Sequence, residues 1–248
     1  MPSGDLFPRD WLVEVEYTDT RLGSLKTGKE SEVHLVARSD ATGRTSLLAL
    51  KEFKLRSRRS FRNDSTYRGI WSEGARREHR AMKKNTRFGQ TAIASRWIEN
   101  EWQNLVHLFD SGATVPPPVE LLEQGFTMAF VGDTDRAAPR LSEIDLDEGV
   151  ARRVWHDLLD ELAILVAADR VHGDLSAYNV LWWRDRAVLI DFSQTVDVIT
   201  HPAARDLLVR DITTLGAYFA RRGVTVDVDR VLERIGADDH RFARQLAR

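Results

Sequence analysis

Two short segments in the second half decide how this sequence is interpreted: HGDLSAYN at 172–179 and LIDF at 189–192. Asp174 and Asn179 are five residues apart, and Asp191 lies twelve residues beyond Asn179. Transfer of a phosphoryl group needs a carboxylate that orients the acceptor hydroxyl and hard oxygen ligands that hold magnesium on the nucleotide phosphates. Asp174 suits the first task, and Asn179 and Asp191 suit the second.

The chain between the two segments has the pattern of a β-hairpin, because apolar residues at 180–183 and 187–191 flank a polar turn at 184–186. Such a hairpin would let all three polar side chains face one point. The alternative is that Asp and Asn serve here only as turn residues. The agreement of spacing, hairpin and apolar flanks favours the catalytic interpretation, and we expect His172 to brace the loop.

A second group of candidate residues lies upstream. Lys51 stands in the apolar stretch LLALKEF at 47–53, where a lysine either extends to solvent or meets an anion. Glu101 lies in a segment, 93–109, whose apolar residues recur at helical steps. Either residue alone is weak evidence, because surface lysines and helical glutamates are common. Together with the downstream residues, they predict a Lys–Glu pair that serves the nucleotide phosphates.

The third candidate is the turn KTGKES at 26–31, which we expect to join two strands of an antiparallel sheet. Alternating apolar residues predict strands at 11–17 and 33–37, with a turn-rich stretch at 23–31 between them, and a third strand follows at 46–54. A turn with free N–H groups, a glycine and a lysine can cover phosphates. It lacks both the GxxxxGK[ST] pattern and the three glycines of ordinary protein kinases.

Composition limits the class of protein. The 248 residues are 42% hydrophobic and contain no cysteine, so disulfides, Cys-ligated zinc and cysteine nucleophiles are excluded. The net charge of −2 argues against a protein that binds nucleic acid through an overall positive charge. The sequence has neither a stretch of 18 apolar residues nor the pattern of a signal peptide, so we expect no membrane association and a cytoplasmic location.

Charge is unevenly distributed along the chain. Residues 51–87 hold 13 Lys and Arg against 4 Asp and Glu, a local +9, whereas 119–150 hold 2 Arg against 8 acidic residues, a local −6. The polar, Arg-rich stretch 57–90 is long for a loop in a compact domain, which indicates a functional or mobile segment. It is either an RNA or ribosomal-particle contact or a solvated loop.

Taken together, these motifs resemble the RIO family of atypical serine/threonine protein kinases. Both the DFSQ motif at 191–194 and the later HPxAxxxLxRD pattern look closest to the first, non-winged-helix subfamily. The resemblance covers most of the chain, and its segments are TGKESEV (27–33), ALKEF (49–53), WIENEWQNL (97–105), MAFVGDTDRAAPRL (128–141), HGDLSAYN (172–179), LIDFSQTV (189–196) and HPAARDLLVRD (201–211).

The resemblance implies an α+β, two-lobe protein-kinase-like fold of the reduced RIO type. Its N-lobe, an antiparallel sheet plus a helix, would span residues 1–131, with the family's flexible insert at about 57–90. A mainly helical C-lobe at 132–248 would carry the catalytic and metal-binding loops. The family lacks the activation loop and the C-terminal substrate-binding helices of other kinases.

The resemblance also assigns roles to individual residues. Asp174 would be the catalytic aspartate, Asn179 a metal ligand, and Asp191 a metal ligand that can become transiently phosphorylated. The phosphates and Mg²⁺ (or Mn²⁺) of ATP would involve Lys51 and its partner Glu101. The remaining nucleotide contacts would be the phosphate-binding loop Thr27, Gly28, Lys29, Glu30 and Ser31, the strand residue Val33, the gatekeeper Met128, and backbone groups of Ala129 and Val131.

One departure from the family concerns the acceptor. Gly173 stands where the family usually has alanine, and HGD is also common in small-molecule kinases such as those for aminoglycosides and choline. The acceptor is therefore a protein serine, this protein itself, water in an ATPase switch, or a small molecule. A binding module that uses ATP only as a conformational ligand is a further alternative, against which the intact catalytic set argues.

Overall fold

The computed structural model describes residues 16–54, 87–134, 136–237 and 242. These residues form two compact units. The first comprises 16–54, 87–103 and 117–130, and the second comprises 104–116 and the described residues from 131 onward. No helix in this described part is long and apolar enough to cross a membrane.

The first unit is built on a five-stranded antiparallel sheet with the strand order β1-β2-β3-β5-β4. A small core on one face consists of Val36, Leu48 and Leu50, covered by Val119. The strands are β1 (Tyr17–Thr27), β2 (Ser31–Asp40), β3 (Thr45–Phe53), β4 (Pro118–Leu122) and β5 (Gly125–Ala129).

A buried arginine joins the two edge strands of this sheet. The Arg38 guanidinium on β2 binds both carboxylate oxygens of Asp19 on β1, at 2.8 and 2.7 Å, and reaches Glu120 on β4 at 2.8 Å. Tyr17 donates to the same Glu120 at 2.7 Å, and its ring centroid lies 3.6 Å from the guanidinium carbon. The sheet must therefore curl until its first and last strands meet.

Helix α1 (Arg87–Asp110) runs from the first unit into the second. Among its described side chains, Ile98, Glu101, Leu105 and Leu108 are buried and recur every three or four residues, and the buried Asn104 lies beside them in the same stripe. Glu101 is the charged member of that stripe. The helical periodicity of the sequence therefore locates this side chain on the buried face.

The second unit is mainly helical. Helix α2 begins after Asp147, whose carboxylate caps it by accepting from the Val150 N–H at 2.9 Å, and the Trp155 ring packs on Phe219. Its helices are α2 (Glu148–Ala167), α3 (Ala204–Ala220) and α4 (Val228–Arg234). Two antiparallel strand pairs lie between α2 and α3 in the chain: β6 (Arg170–Val171) with β9 (Val196–Asp197), and β7 (Val180–Trp183) with β8 (Arg186–Leu189).

The α+β class, with an antiparallel N-terminal sheet, is confirmed, although several element bounds differ from the prediction. The strand predicted at 11–17 lies outside the described residues except for its end, and β1 runs through Gly23, which the sequence placed in a turn-rich stretch. Every residue of β1 is exposed, so no apolar alternation marks it. Of the predicted insert at 57–90, residues 87–90 are helical and the rest lies outside the described residues.

We expect the Arg38→Met variant to lower the free energy of unfolding by about 2 kcal/mol, because two carboxylates lose their buried hydrogen-bond donor. Arg21→Met is the matched control, since Arg21 on β1 forms a more exposed ion pair with Glu52 and its loss should cost less than about 1 kcal/mol. Urea unfolding of both variants measures the difference. Equal losses would show that Arg38 does not hold the sheet edges together.

Candidate active site

In the first unit, Lys51 and Glu101 form a buried ion pair. Lys51 Nζ lies 2.5 Å from Glu101 Oε1, and the two side chains are only 8% and 3% exposed. The central strand β3 supplies the lysine and the buried stripe of α1 supplies the glutamate. Charges taken out of water must be paired, so each side chain holds the other in place.

The other residues predicted to contact nucleotide on this sheet share a face with Lys51. Val33 lies directly opposite Lys51 on the neighbouring strand β2, and Ala49, two residues before Lys51, lies opposite Met128 on β5. Directly opposed residues, and residues two apart in a strand, project on the same side of a sheet. Val33, Lys51 and Met128 are therefore presented together.

The predicted phosphate-binding loop is a tight turn. Thr27 ends β1, Ser31 begins β2, and the Gly28 N–H donates to the Ser31 carbonyl at 2.9 Å. The turn proper is therefore the three residues 28–30. Its backbone is also tied to the end of β3, because the Lys54 N–H donates to the Glu30 carbonyl at 2.9 Å.

The two residues predicted to bind adenine through their backbones follow β5's gatekeeper Met128. The Ala129 N–H donates to the carbonyl of Pro117 at 2.8 Å, but Pro117 has no N–H with which to bond the Ala129 carbonyl. The Val131 carbonyl accepts from the Ala138 N–H at 2.9 Å. The Ala129 carbonyl therefore receives no bond from the residue that its own N–H contacts.

In the second unit, a buried aspartate on α3 holds the loop that carries Asp174. Asp211 is 1% exposed, and its two oxygens accept from the Gly173 N–H at 2.7 Å and from the Leu175 N–H at 3.0 Å. Its neighbour Arg210 donates to the Gly173 carbonyl. The two peptide groups flanking Asp174 are therefore fixed by consecutive side chains of one helix.

Asp211 was not among the residues predicted from the sequence. The available signal was a charged residue at a buried helical position, three residues after Leu208 and four before Leu215. Burial raises the pKa of Asp211 to about 7, while the two N–H donors and the Arg210 guanidinium oppose that rise.

His172 braces the same loop, as predicted. It is fully buried, its Nε2 lies 3.1 Å from the Ile190 carbonyl, and its Nδ1 accepts from the Asp174 N–H at 3.3 Å. A neutral imidazole that donates through Nε2 satisfies both bonds. Burial lowers the pKa of His172, which keeps this neutral form. The next residue, Gly173, has a φ of +79°, and a Cβ there would lie 2.3 Å from the Gln194 carbonyl.

The Asp–Asn–Asp set is joined by hydrogen bonds. Asn179 Nδ2 donates to the Asp174 carbonyl at 2.8 Å and lies 3.3 Å from its carboxylate. The β7–β8 hairpin then returns the chain, and the Ile190 N–H donates to the Asn179 carbonyl at 3.0 Å. Asp191 therefore directly follows the residue bonded to Asn179. Its φ of +71° is a strained, left-handed conformation for a residue with a side chain.

This donor set suits a hard divalent cation. The amide nitrogen of Asn179 is engaged with Asp174, which leaves Oδ1 as its ligand atom, and Asp191 offers a carboxylate that Ser193 also contacts at 3.1 Å. Two protein oxygens leave most positions of an octahedral Mg²⁺ ion for phosphate oxygens and water, as is usual in nucleotide sites. Asp174, Asn179 and Asp191 belong to the second unit, and Lys51 and Glu101 belong to the first.

We expect the Asp211→Asn variant to be less stable than the wild type, by an amount that depends on pH. An amide has one oxygen, so one loop N–H loses its acceptor at a cost of about 1–3 kcal/mol. The pKa of Asp211 is raised from 3.8 to about 7 in the folded protein. Protonation of the Asp211 carboxyl therefore contributes to the free energy of unfolding fully below pH 4, and this contribution is lost as the pH rises to 7.

The difference in unfolding free energy between wild type and Asp211→Asn should thus be largest at acid pH and shrink toward neutrality, as measured by urea unfolding from pH 4.5 to 8. Asp206→Asn, the same substitution at an exposed aspartate of the same helix, is measured beside it as the matched control. A pH-independent difference for Asp211→Asn would contradict the raised pKa.

The sequence of this chain matches a family model and several known proteins. A family model described as the RIO domain matches residues 33–231. The RIO-type serine/threonine-protein kinase Rio1 of Thermoplasma acidophilum is 31% identical over 149 residues, which cover 60% of this chain and 77% of that protein. The Rio1 protein of Haloferax volcanii is 28% identical over 228 residues, covering 92% and 73%.

Serine/threonine-protein kinase RIO3 of Mus musculus is 32% identical over 222 residues, which cover 86% of this chain but only 41% of the mouse protein. Relatives named RIO1 and RIO3 both match, so the assignment to the first subfamily stays a prediction. The RIO-domain match includes every candidate residue of both units except those of the turn at 27–31. On this match and on the Thermoplasma relative, the chain belongs to the RIO family.

Proposed function

We propose that this protein transfers the γ-phosphoryl group of ATP to a serine or threonine hydroxyl, as a RIO-type serine/threonine-protein kinase. The observation that carries the proposal is the loop fixed by Asp211, in which Asp174 contacts Asn179 and the returning hairpin supplies Asp191. Family membership supports the same activity, since the relatives are named serine/threonine-protein kinases.

In this proposal, most of the residues that bind the nucleotide belong to the first unit. Lys51 neutralises phosphate oxygens, and Glu101 keeps the lysine extended and charged in its buried position. The turn residues Thr27, Gly28, Lys29, Glu30 and Ser31 cover the phosphates through backbone N–H groups such as that of Lys29, while the Gly28 N–H stays bonded to the Ser31 carbonyl. Val33 and Met128 contact the adenine, while the Ala129 carbonyl and the Val131 N–H bond its edge.

The second unit orients the acceptor and holds the metal. Asn179 and Asp191 would ligate Mg²⁺, or Mn²⁺, which when bound neutralises charge on the phosphates. Asp174 accepts a hydrogen bond from the acceptor hydroxyl and takes its proton as the new P–O bond forms. Because Asp211 and Asn179 fix the loop, Asp174 is oriented before the substrate arrives, which reduces the entropic cost of reaching the transition state.

We expect Asp174→Asn to slow phosphoryl transfer by at least about 100-fold, because an amide neither accepts the proton nor carries the charge. ATP binding should be nearly unchanged. Asp185→Asn is the matched control, since Asp185 is exposed in the β7–β8 turn with a φ of +58°, a conformation that asparagine adopts readily. Transfer from γ-labelled ATP measures both variants, and a fully active Asp174→Asn protein would refute the assigned role.

Autophosphorylation and ATPase switching are two further activities of the same proposed site. A protein hydroxyl or this chain's own hydroxyls would give phosphate esters. Water would make the protein an ATPase switch, in which a carboxylate oxygen of Asp191 bonds to the γ-phosphorus, ADP leaves, and hydrolysis restores the carboxylate. Asp191 is both a metal ligand and the phosphorylated residue in that case, and its left-handed backbone marks it as a strained position.

Hydroxylamine distinguishes the two outcomes. An acyl phosphate at Asp191 is cleaved by neutral hydroxylamine, whereas a serine or threonine phosphate is stable to it. For an aspartyl switch we expect label on the wild-type protein to be lost on hydroxylamine treatment and to be absent from Asp191→Asn. Label that resists hydroxylamine would assign autophosphorylation on a hydroxyl instead.

A small-molecule phosphotransferase is the second candidate, favoured by the glycine of HGD; the acidic stretch 119–150 is compatible with it but is explained more simply as a solvated acidic face. It requires rapid turnover with an aminoglycoside, choline or a sugar, which a coupled ADP assay detects. Contact of the stretch 57–90 with RNA or a ribosomal particle, the cytoplasmic location, and the lobe boundary between 131 and 132 also stay predictions. The stretch 57–86 lies outside the described residues.

A further inference from the structure

Lys54, the first residue after β3, binds the turn between β1 and β2 in two places. Its N–H donates to the Glu30 carbonyl at 2.9 Å, and its Nζ donates to the Gly28 carbonyl at 3.0 Å. The same Nζ lies 2.8 Å from Glu32 Oε1 on β2. The backbone and side chain of one residue thus hold both ends of the three-residue turn.

This contact determines which way a peptide group of the turn points. The Gly28 carbonyl and the Lys29 N–H belong to one planar trans peptide unit and point in opposite directions. Because Lys54 binds the carbonyl, it directs the Lys29 N–H to the side away from itself. A turn that covers phosphate must offer N–H groups and turn its carbonyl oxygens away, since these repel the anion.

We propose that Lys54 is a positioning residue for the nucleotide phosphates, which fixes the Gly28–Lys29 peptide so that its N–H can bind a phosphate oxygen of ATP. This inference rests on the proposed ATP-dependent function. Glu32 keeps the ammonium group over the turn, and the hydrogen bond from Lys54 lowers the pKa of the Glu32 carboxyl, so the pair is ionised at neutral pH. The Lys54 side chain is 38% exposed, so a direct contact with phosphate is the rival role.

The test compares ligands that differ only in their phosphates. Affinities of the Lys54→Met variant for Mg–ATP and for adenosine are measured by titration calorimetry, together with KM for ATP and kcat. We expect ATP affinity to fall about tenfold, the loss of one charge-assisted hydrogen bond, with adenosine affinity unchanged. KM should rise by a similar factor with little change in kcat, and Lys54→Arg should recover most of the loss.

Glu32→Gln separates positioning from direct contact, because the two roles predict opposite signs. If Lys54 positions the turn, loosening its anchor weakens ATP binding, by less than Lys54→Met does. If Lys54 contacts phosphate directly, its release from Glu32 strengthens ATP binding, and that result would overturn the proposal. Arg44→Met removes an ion pair with Asp40 at the opposite end of the β2–β3 hairpin and should leave ATP affinity unchanged.

Unchanged ATP affinity in Lys54→Met, or an equal loss for ATP and adenosine, would also overturn the positioning role. The proposed kinase function would survive either outcome, provided that the wild type binds ATP and Asp174→Asn abolishes transfer. A wild-type protein that binds no ATP would instead refute the proposed function, and the role of Lys54 with it. The Glu32→Gln and Lys54→Arg measurements keep the test decisive even where Lys54→Met folds poorly.

Discussion

The buried Asp211 carboxylate constrains the loop that carries Asp174, because its two oxygens bind N–H groups on either side of that residue. The loop around Asp174 has no regular secondary structure of its own, and its flanking N–H groups would otherwise be buried without acceptors. Asp211 satisfies both of them, and Arg210 satisfies a carbonyl between them. This anchor on α3 acts together with His172 and Asn179, which bind the same loop through their side chains.

The first unit also contains charged side chains that are buried together with their partners. Lys51 and Glu101 are desolvated together, and Arg38 is 2% exposed between Asp19 and Glu120. A charged side chain that is removed from water requires its partners in a fixed geometry, so each such group fixes the backbone segments that carry them. Arg38 fixes the two sheet edges, and the Lys51 pair fixes α1 against β3.

The predictable parts of the site were those with a local signal in the sequence. The alternation of Val33 and its neighbours indicated β2, and the period of α1 placed Glu101 on a buried face. The turn between two apolar runs indicated the hairpin that brings Asp191 beside Asn179. In these cases a repeat of two or of three to four residues is enough, because burial of one face determines the structure.

The parts that were not predictable depend on contacts between residues far apart in the chain. β1 is wholly exposed and β4 begins at Pro118, so neither strand carries an apolar alternation, and pairing alone defines them. Asp211 and Lys54 act on loops 36 to 38 and 24 to 26 residues away, respectively, through backbone groups that leave no trace in residue type. For Asp211, the sequence signal was a charged residue on an apolar helix face.

In the proposed function, the Lys51–Glu101 pair and the set Asp174, Asn179 and Asp191 serve one phosphoryl transfer from ATP. The most direct measurement is a time course of the wild-type protein with γ-labelled ATP, with and without Mg²⁺, that follows label on protein and as free phosphate. We expect label on the protein or free phosphate to increase with time and to stop increasing when EDTA removes the metal. Undiminished, metal-independent turnover, or tight ATP binding with no transfer to protein, water or any supplied acceptor, would contradict it.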